Sequence, residues 1–201
     1  MDRQADRAPA LYFLGVTRAG GRRGSRSTDD LSTVRYRDLE ALVRPAPYET
    51  PALGKEELQA HQQMVENAMR RDTILPAPYG IVFRSRRHVI RFLEDQYIVL
   101  DEALAFLDGH WELRLHISAA EDDAGPELHE LATHLYSELR RFARAAVPLD
   151  EGDILGAAFL VDRTAWIEFV ERADDLSTSH PEVSFDITGP WPPYDFVKMN
   201  V

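Results

Sequence analysis

Trp111-Glu112-Leu113-Arg114-Leu115-His116-Ile117 is the stretch that decides the fold class. Apolar and polar side chains alternate with a period of two, so Trp111, Leu113, Leu115 and Ile117 share one face of a β-strand and Glu112, Arg114 and His116 share the other. Such alternation predicts one covered face and one wetter face. Downstream, the spacing predicts a helix on Leu128, Leu131, Leu135, Leu139 and Phe142, then a buried strand over Ile154 to Val161. A second helix uses Trp166, Phe169, Val170 and Ala173, and a last strand carries Val183, Phe185 and Ile187. Strand, helix, strand, helix, strand points to an open sheet with helices on one side.

Upstream of Gly109 the pattern is different in detail but again mixed. Ala10 to Val16 is a short continuous apolar run, as a central strand covered on both faces requires. Residues 17 to 32 are rich in Gly, Ser and Arg and read as a mobile surface loop. Thr33 to Arg37 and Leu39 to Arg44 are strand candidates, after which Pro45, Pro47 and Pro51 break the chain. Leu58, His61, Val65, Ala68 and Met69 place an amphipathic helix over Lys55 to Arg71. Pro76 and Pro78 demote Ile74 to Phe83 to an edge strand or an extended linker. Val89, Leu93, Tyr97, Leu100, Leu104 and Leu107 then predict one long helix, with Ser85 as N-cap and Gly109 as stop. The fold class is therefore α+β with two small domains, 1–109 and 110–201, the second a modified ferredoxin-like sandwich with a Pro/aromatic tail.

That tail, Thr188-Gly189-Pro190-Trp191-Pro192-Pro193-Tyr194-Asp195-Phe196-Val197, holds three prolines and three aromatics. Proline fixes φ and removes a backbone donor, so the segment is extended and rigid and must dock on something. Either Trp191, Tyr194 and Phe196 cover the chain's own core, or Pro190, Trp191, Pro193 and Tyr194 form a partner-binding edge.

A chain of 201 residues can bury a core readily. With 44% hydrophobic and 28% charged residues it has the balance of an ordinary globular protein. The absence of cysteine removes disulfides, thiolate metal sites and cysteine nucleophiles. A net charge of −11 opposes general nucleic-acid binding, which needs a surface positive enough to displace phosphate counterions. No apolar run is long enough to span a bilayer and the start lacks a signal-peptide pattern, so the expectation is a cytoplasmic chain that does not bind membranes.

Candidate chemistry is sparse. His129 and His134 lie five apart, which on a helix turns one imidazole about 140° from the other and spoils a zinc pair. Gly15 and Gly20 have the spacing of a phosphate loop, yet Gly21 and Arg22 stand where the lysine and hydroxyl belong. His61 on an apolar helix face reads as a hydrogen-bonded core residue rather than a base. Arg84, Arg86, Arg87 and Arg91 crowd a helix N-terminus, the end the dipole disfavours for cations. That makes Arg84, Arg86 and Arg87 candidates for an acidic partner or for the chain's own Glu121-Asp122-Asp123. No catalytic residue, cofactor site or metal site is assigned.

The order Gly189-Pro190-Trp191-Pro192-Pro193-Tyr194 resembles the C-terminal segment of the gas vesicle protein F/L family. Other segments are similar in the same order: Leu39-Glu40-Ala41-Leu42-Val43, His61-Gln62, Leu75-Pro76-Ala77-Pro78-Tyr79-Gly80-Ile81-Val82-Phe83, and Trp111-Glu112-Leu113-Arg114-Leu115. The chain departs in carrying Tyr79 for Phe, Arg114 for Lys, and an exchanged Trp111-Glu112 pair. The resemblance implies two α+β domains, binding to the hydrophobic gas vesicle shell protein and other accessory proteins, and a non-enzymatic role in assembly or at the shell's inner face. Two rival expectations are a haem or small-molecule enzyme on a dimeric α/β barrel, with His61 or His116 as haem ligand, and a small-molecule sensor domain.

Overall fold

The computed structural model describes residues 10–20, 31–49, 51–120, 125–150, 154–197 and 199. Most of the arginine-rich stretch expected to be a mobile loop and the acidic run Glu121-Asp122-Asp123 lie outside the described residues. The chain divides into two compact units, one running to Asp108 and a second over Gly109–Lys198.

The first unit is built on β1 (Ala10–Arg18), β2 (Ser32–Tyr36), β3 (Leu39–Ala46), β4 (Ile74–Pro76) and β5 (Val82–Phe83). The antiparallel order is β2-β3-β1-β4, and β5 also pairs with β1. Tyr12, Phe13, Leu14 and Val16 are all buried, which is why β1 reads as an unbroken apolar run. Pro45 does not break the chain but sits within β3 opposite Leu11, beyond the last residue that β2 pairs. The lost N–H therefore falls where no second neighbour asks for it.

Helix α1 (Lys55–Met69) buries His61, Val65 and Met69, while Leu58, expected on the same face, is 46% exposed. The expected single long helix is two: α2 (Arg86–Asp95) and α3 (Tyr97–Leu107), separated at Gln96. The apolar seam continues through both, with Val89, Leu93, Leu100, Leu104 and Leu107 buried. What differs is the surface each half covers, since α2 packs on β2, β3 and β5 and α3 on β4 and β1. Side-chain anchors hold α3 in place. The Tyr97 hydroxyl donates to Asp38 Oδ1 at 2.6 Å, and Arg18 pairs with both Asp38 and Asp101. Ser85 occupies the cap position of α2, but its hydroxyl meets His88 Nδ1 at 2.8 Å rather than a backbone amide.

The second unit contains β6 (His110–Ala119), α4 (Pro126–Leu139), β7 (Ala145–Leu149), β8 (Leu155–Asp162), α5 (Trp166–Ser179) and β9 (Val183–Trp191). Its chain order is β-α-β-β-α-β and its sheet order β7-β8-β6-β9, antiparallel throughout. Leu113, Leu115, Ile117, Ala157, Phe159 and Val161 face the same core as Leu135, Leu139, Phe169 and Ala173, so both helices cover one face. Phe159 anchors that core, 5.1 Å from Phe169 and 5.6 Å from Tyr136 between ring centroids.

The sequence pattern predicts three strands in this unit and the sheet has four: β7, Ala145-Ala146-Val147-Pro148-Leu149, carries no clean alternation and lies at the sheet edge, where proline is tolerated. Two expectations fail. Phe142 does not extend α4; the chain tightens into a 3-10 turn over Arg140–Phe142 and leaves that ring 47% exposed. Most consequentially, Glu112 was expected on the wetter face and is 0% exposed.

Candidate functional site

Glu112 is buried because the C-terminal segment folds back over it. Strand β9 pairs with β6 from Val183↔Ala119 to Thr188↔Arg114, then spends two residues, Gly189 and Pro190, against the single Leu113 before Trp191 meets Glu112. This bulge turns Pro192 to Asp195 across the sheet face that carries the Glu112 side chain. Gly189 has φ +125°, in the left-handed region that favours glycine, and the Gly189-Pro190 peptide is cis. A Cβ at Gly189 would lie 2.9 Å from the Glu112 carbonyl oxygen and 3.0 Å from Leu113 Cδ2.

Glu112, Arg114 and Asp195 meet beneath the segment. Glu112 Oε2 accepts the Asp195 backbone N–H at 3.0 Å, and Glu112 Oε1 accepts Arg114 Nε at 2.9 Å. Arg114 Nη2 reaches Asp195 Oδ2 at 2.9 Å. Two carboxyl groups thus share one guanidinium. Burial pushes the Glu112 carboxyl up to about 7, and the neighbouring Asp195 carboxyl adds to that, while the Asp195 amide and Arg114 pull the other way. A proton on Glu112 removes the uncompensated buried charge. Nearby, the Trp191 indole N–H donates to Thr188 Oγ1 at 3.0 Å.

Of the tail residues expected at a partner edge, Pro193 is buried, while Pro190, Trp191 and Tyr194 are half-buried. The segment is therefore docked on its own unit, with the outer sides of those three residues still accessible. Glu112, Arg114 and Asp195, which hold it, were not singled out from the sequence. The signal available was the tail itself, since a rigid segment needs a polar anchor for its turning backbone.

The arginine candidates lie in the first unit and are exposed. The Arg84 guanidinium stacks 4.9 Å over the Tyr48 ring, and Arg86 Nη1 donates to Thr33 O at 3.2 Å. Arg87 and Arg91 continue the same basic end of α2, where Arg91 lies 3.8 Å from Asp95.

His61 is the other buried polar group of note. Its Nδ1 accepts the Tyr12 hydroxyl at 2.7 Å and its Nε2 donates to Ala77 O at 3.2 Å. Burial holds this imidazole below its ordinary range and pushes the Tyr12 hydroxyl up to about 12. Tyr79 closes the cluster edge-on to both rings and donates its hydroxyl to Ala52 O at 2.6 Å. Both imidazole nitrogens are committed to the protein, so His61 offers no lone pair to a haem iron. Tyr12→Phe is expected to cost about 1–3 kcal/mol by leaving Nδ1 buried and unpaired, read as a lower urea midpoint in far-UV circular dichroism. His129 and His134 point to different partners, Gly125 O and Glu138. Among the described residues no group of three or more His, Asp or Glu is placed to hold a metal.

A family model described as gas vesicle synthesis protein GvpL/GvpF matches residues 10–132 and 120–198. Gas vesicle protein F1 of Halobacterium salinarum is 25% identical over 189 residues, covering 89% of this chain and 86% of the relative. Gas vesicle protein L of a Streptomyces species is 37% identical over 96 residues, 43% of this chain and 35% of that protein. The crystal structure of GvpF from Microcystis aeruginosa superposes with a TM-score of 0.78 at 16% identity, covering 96% of this chain and 100% of the other. That of GvpF from Anabaena gives 0.79 at 18% identity over 96% and 98%.

Proposed function

The chain belongs to the gas vesicle GvpL/GvpF family, and from that premise we propose that it is a non-enzymatic accessory protein of gas vesicle assembly that binds the hydrophobic shell subunit. The observation that carries the reading is the family match, which runs from β1 through both units to the end of the docked segment.

Physical chemistry supplies a way for such a protein to act. A shell subunit is apolar and associates through its strands, so an unassembled copy needs a soluble companion that occupies its pairing edges. Among the described residues this chain offers two antiparallel sheets whose outer strands pair on one side only, on a body whose net charge is −11. Among the described residues no helix is long and apolar enough to cross a membrane. The place of action is the cytoplasm, on assembly intermediates or at the inner face of the shell, with other accessory proteins as further partners.

Affinity capture tests the contact. Tagged chain co-expressed with a shell subunit is expected to retain it after washing, above the level held by bare resin. Retention equal to bare resin would contradict the proposal.

A further inference from the structure

Between α5 and β9 the second unit carries a groove of about 270 Å³, lined by Val170, Glu171, Asp174, Ser177, Phe185 and Ile187. Its floor is apolar, formed by the partly exposed Val170, Phe185 and Ile187. Its rim is acidic, formed by the exposed Glu171 and Asp174 at neighbouring positions of one helical face. The nearby Arg172 does not neutralise that rim, because its guanidinium is turned toward Glu138 on α4 at 3.6 Å. The groove is smaller than the roughly 300–1,000 Å³ of small-molecule pockets, so it suits a side chain or two of a partner chain better than a free metabolite.

Among the described residues the strand beside the groove has an open edge. In the described residues β9 pairs with β6 alone and forms the border of its sheet. Edge strands are ordinarily blunted by lysine or proline, yet Val183-Ser184-Phe185-Asp186-Ile187-Thr188 contains neither, and proline enters only at Pro190. Along this strand Val183, Phe185 and Ile187 take the helix side, and Ser184, Asp186 and Thr188 take the opposite side.

We propose that β9 and this groove seat an extended segment of a partner protein, added as a strand along β9, with an apolar residue over Phe185 and Ile187 and a Lys or Arg two positions along facing Glu171 and Asp174. Strand addition supplies main-chain hydrogen bonds, and the alternate side chains supply selectivity. Charge complementarity selects a basic amphipathic segment and disfavours a second copy of this chain, which would bring two acidic rims together. The assignment goes beyond the reading of shell binding and does not require the shell subunit to be the source of the segment.

The probe is a fluorescein-labelled peptide, Val-Thr-Lys-Thr-Val-Thr-Lys-Thr, titrated by anisotropy with the full chain and with a Glu171→Lys/Asp174→Lys double variant. Both substituted residues are exposed, and an unchanged tryptophan-monitored melt confirms the variant's fold. The expected result is saturable binding to the original chain, weakened about tenfold in the double variant and by added salt. A counterpart with Glu in place of Lys is expected to prefer the variant. Equal affinity for both chains, no binding at millimolar peptide, or undiminished binding of a peptide N-methylated on its pairing amides would each overturn the proposal. Shell capture is measured separately, so either idea can fail without the other.

Discussion

Gly189→Ala is expected to destabilise the second unit by about 2–4 kcal/mol. Two causes add. The backbone there has φ +125°, which an alanine adopts only under strain. The new methyl would also press on the Glu112 carbonyl oxygen at 2.9 Å, a backbone atom that cannot swing aside without disturbing β6. Relief requires the bulge to open, and opening it lifts Pro192 to Asp195 off the buried Glu112. Gly109→Ala separates the two causes, since Gly109 also has a positive φ, +73°, but nothing within 4 Å of its Cβ position. It is expected to cost about 1 kcal/mol. Trp111, Trp166 and Trp191 are the chain's three tryptophans and all belong to the second unit, so their fluorescence during urea unfolding reads this unit alone. Equal losses for the two variants would mean that the bulge is not packed as described.

The second large effect is a pH dependence with a defined sign. Glu112 ionises near 7 in the folded chain and near 4.5 when unfolded, so between those values the native state holds one more proton. Stability from this group is fully present below about 4.5 and is lost as the pH rises through 7. Glu112→Gln keeps an acceptor for the Asp195 amide and removes the ionisation. The difference between original and variant should therefore move by about 1–3 kcal/mol in the variant's favour from pH 5 to pH 8. Titrating groups remote from Glu112 are common to both chains and cancel. A constant difference across that range would show that Glu112 is not held protonated.

The contrast between Leu113 and Glu112 shows where sequence patterns carry and where they stop. Period-two alternation placed Leu113, Leu115 and Ile117 in the core, since that pattern encodes a local geometry and one covered face. It also assigned Glu112 to water, because alternation cannot report that a segment some eighty residues later returns to cover the second face. The helical seam from Val89 to Leu107 was equally legible, but not the break at Gln96, because the seam records what is buried and not that β2 and β4 turn different parts of the sheet toward it. Strand β7 escaped for want of alternation in Ala145-Ala146-Val147-Pro148-Leu149.

Two of the segments that carry the family resemblance have a common physical use. Ala77 and Tyr79, within Leu75 to Phe83, close the buried cluster around His61 in the first unit. Gly189 to Tyr194 leads into the contacts that close the second unit over Glu112. Both are proline-rich and anchored to a buried polar side chain of their own unit.

The most direct measurement is the fraction of shell subunit recovered in the soluble phase when it is expressed alone and together with this chain. A several-fold larger soluble fraction is expected in the presence of the chain, retained by a Tyr12→Phe variant that still folds. An identical soluble fraction in both cultures, at matched expression, would contradict it.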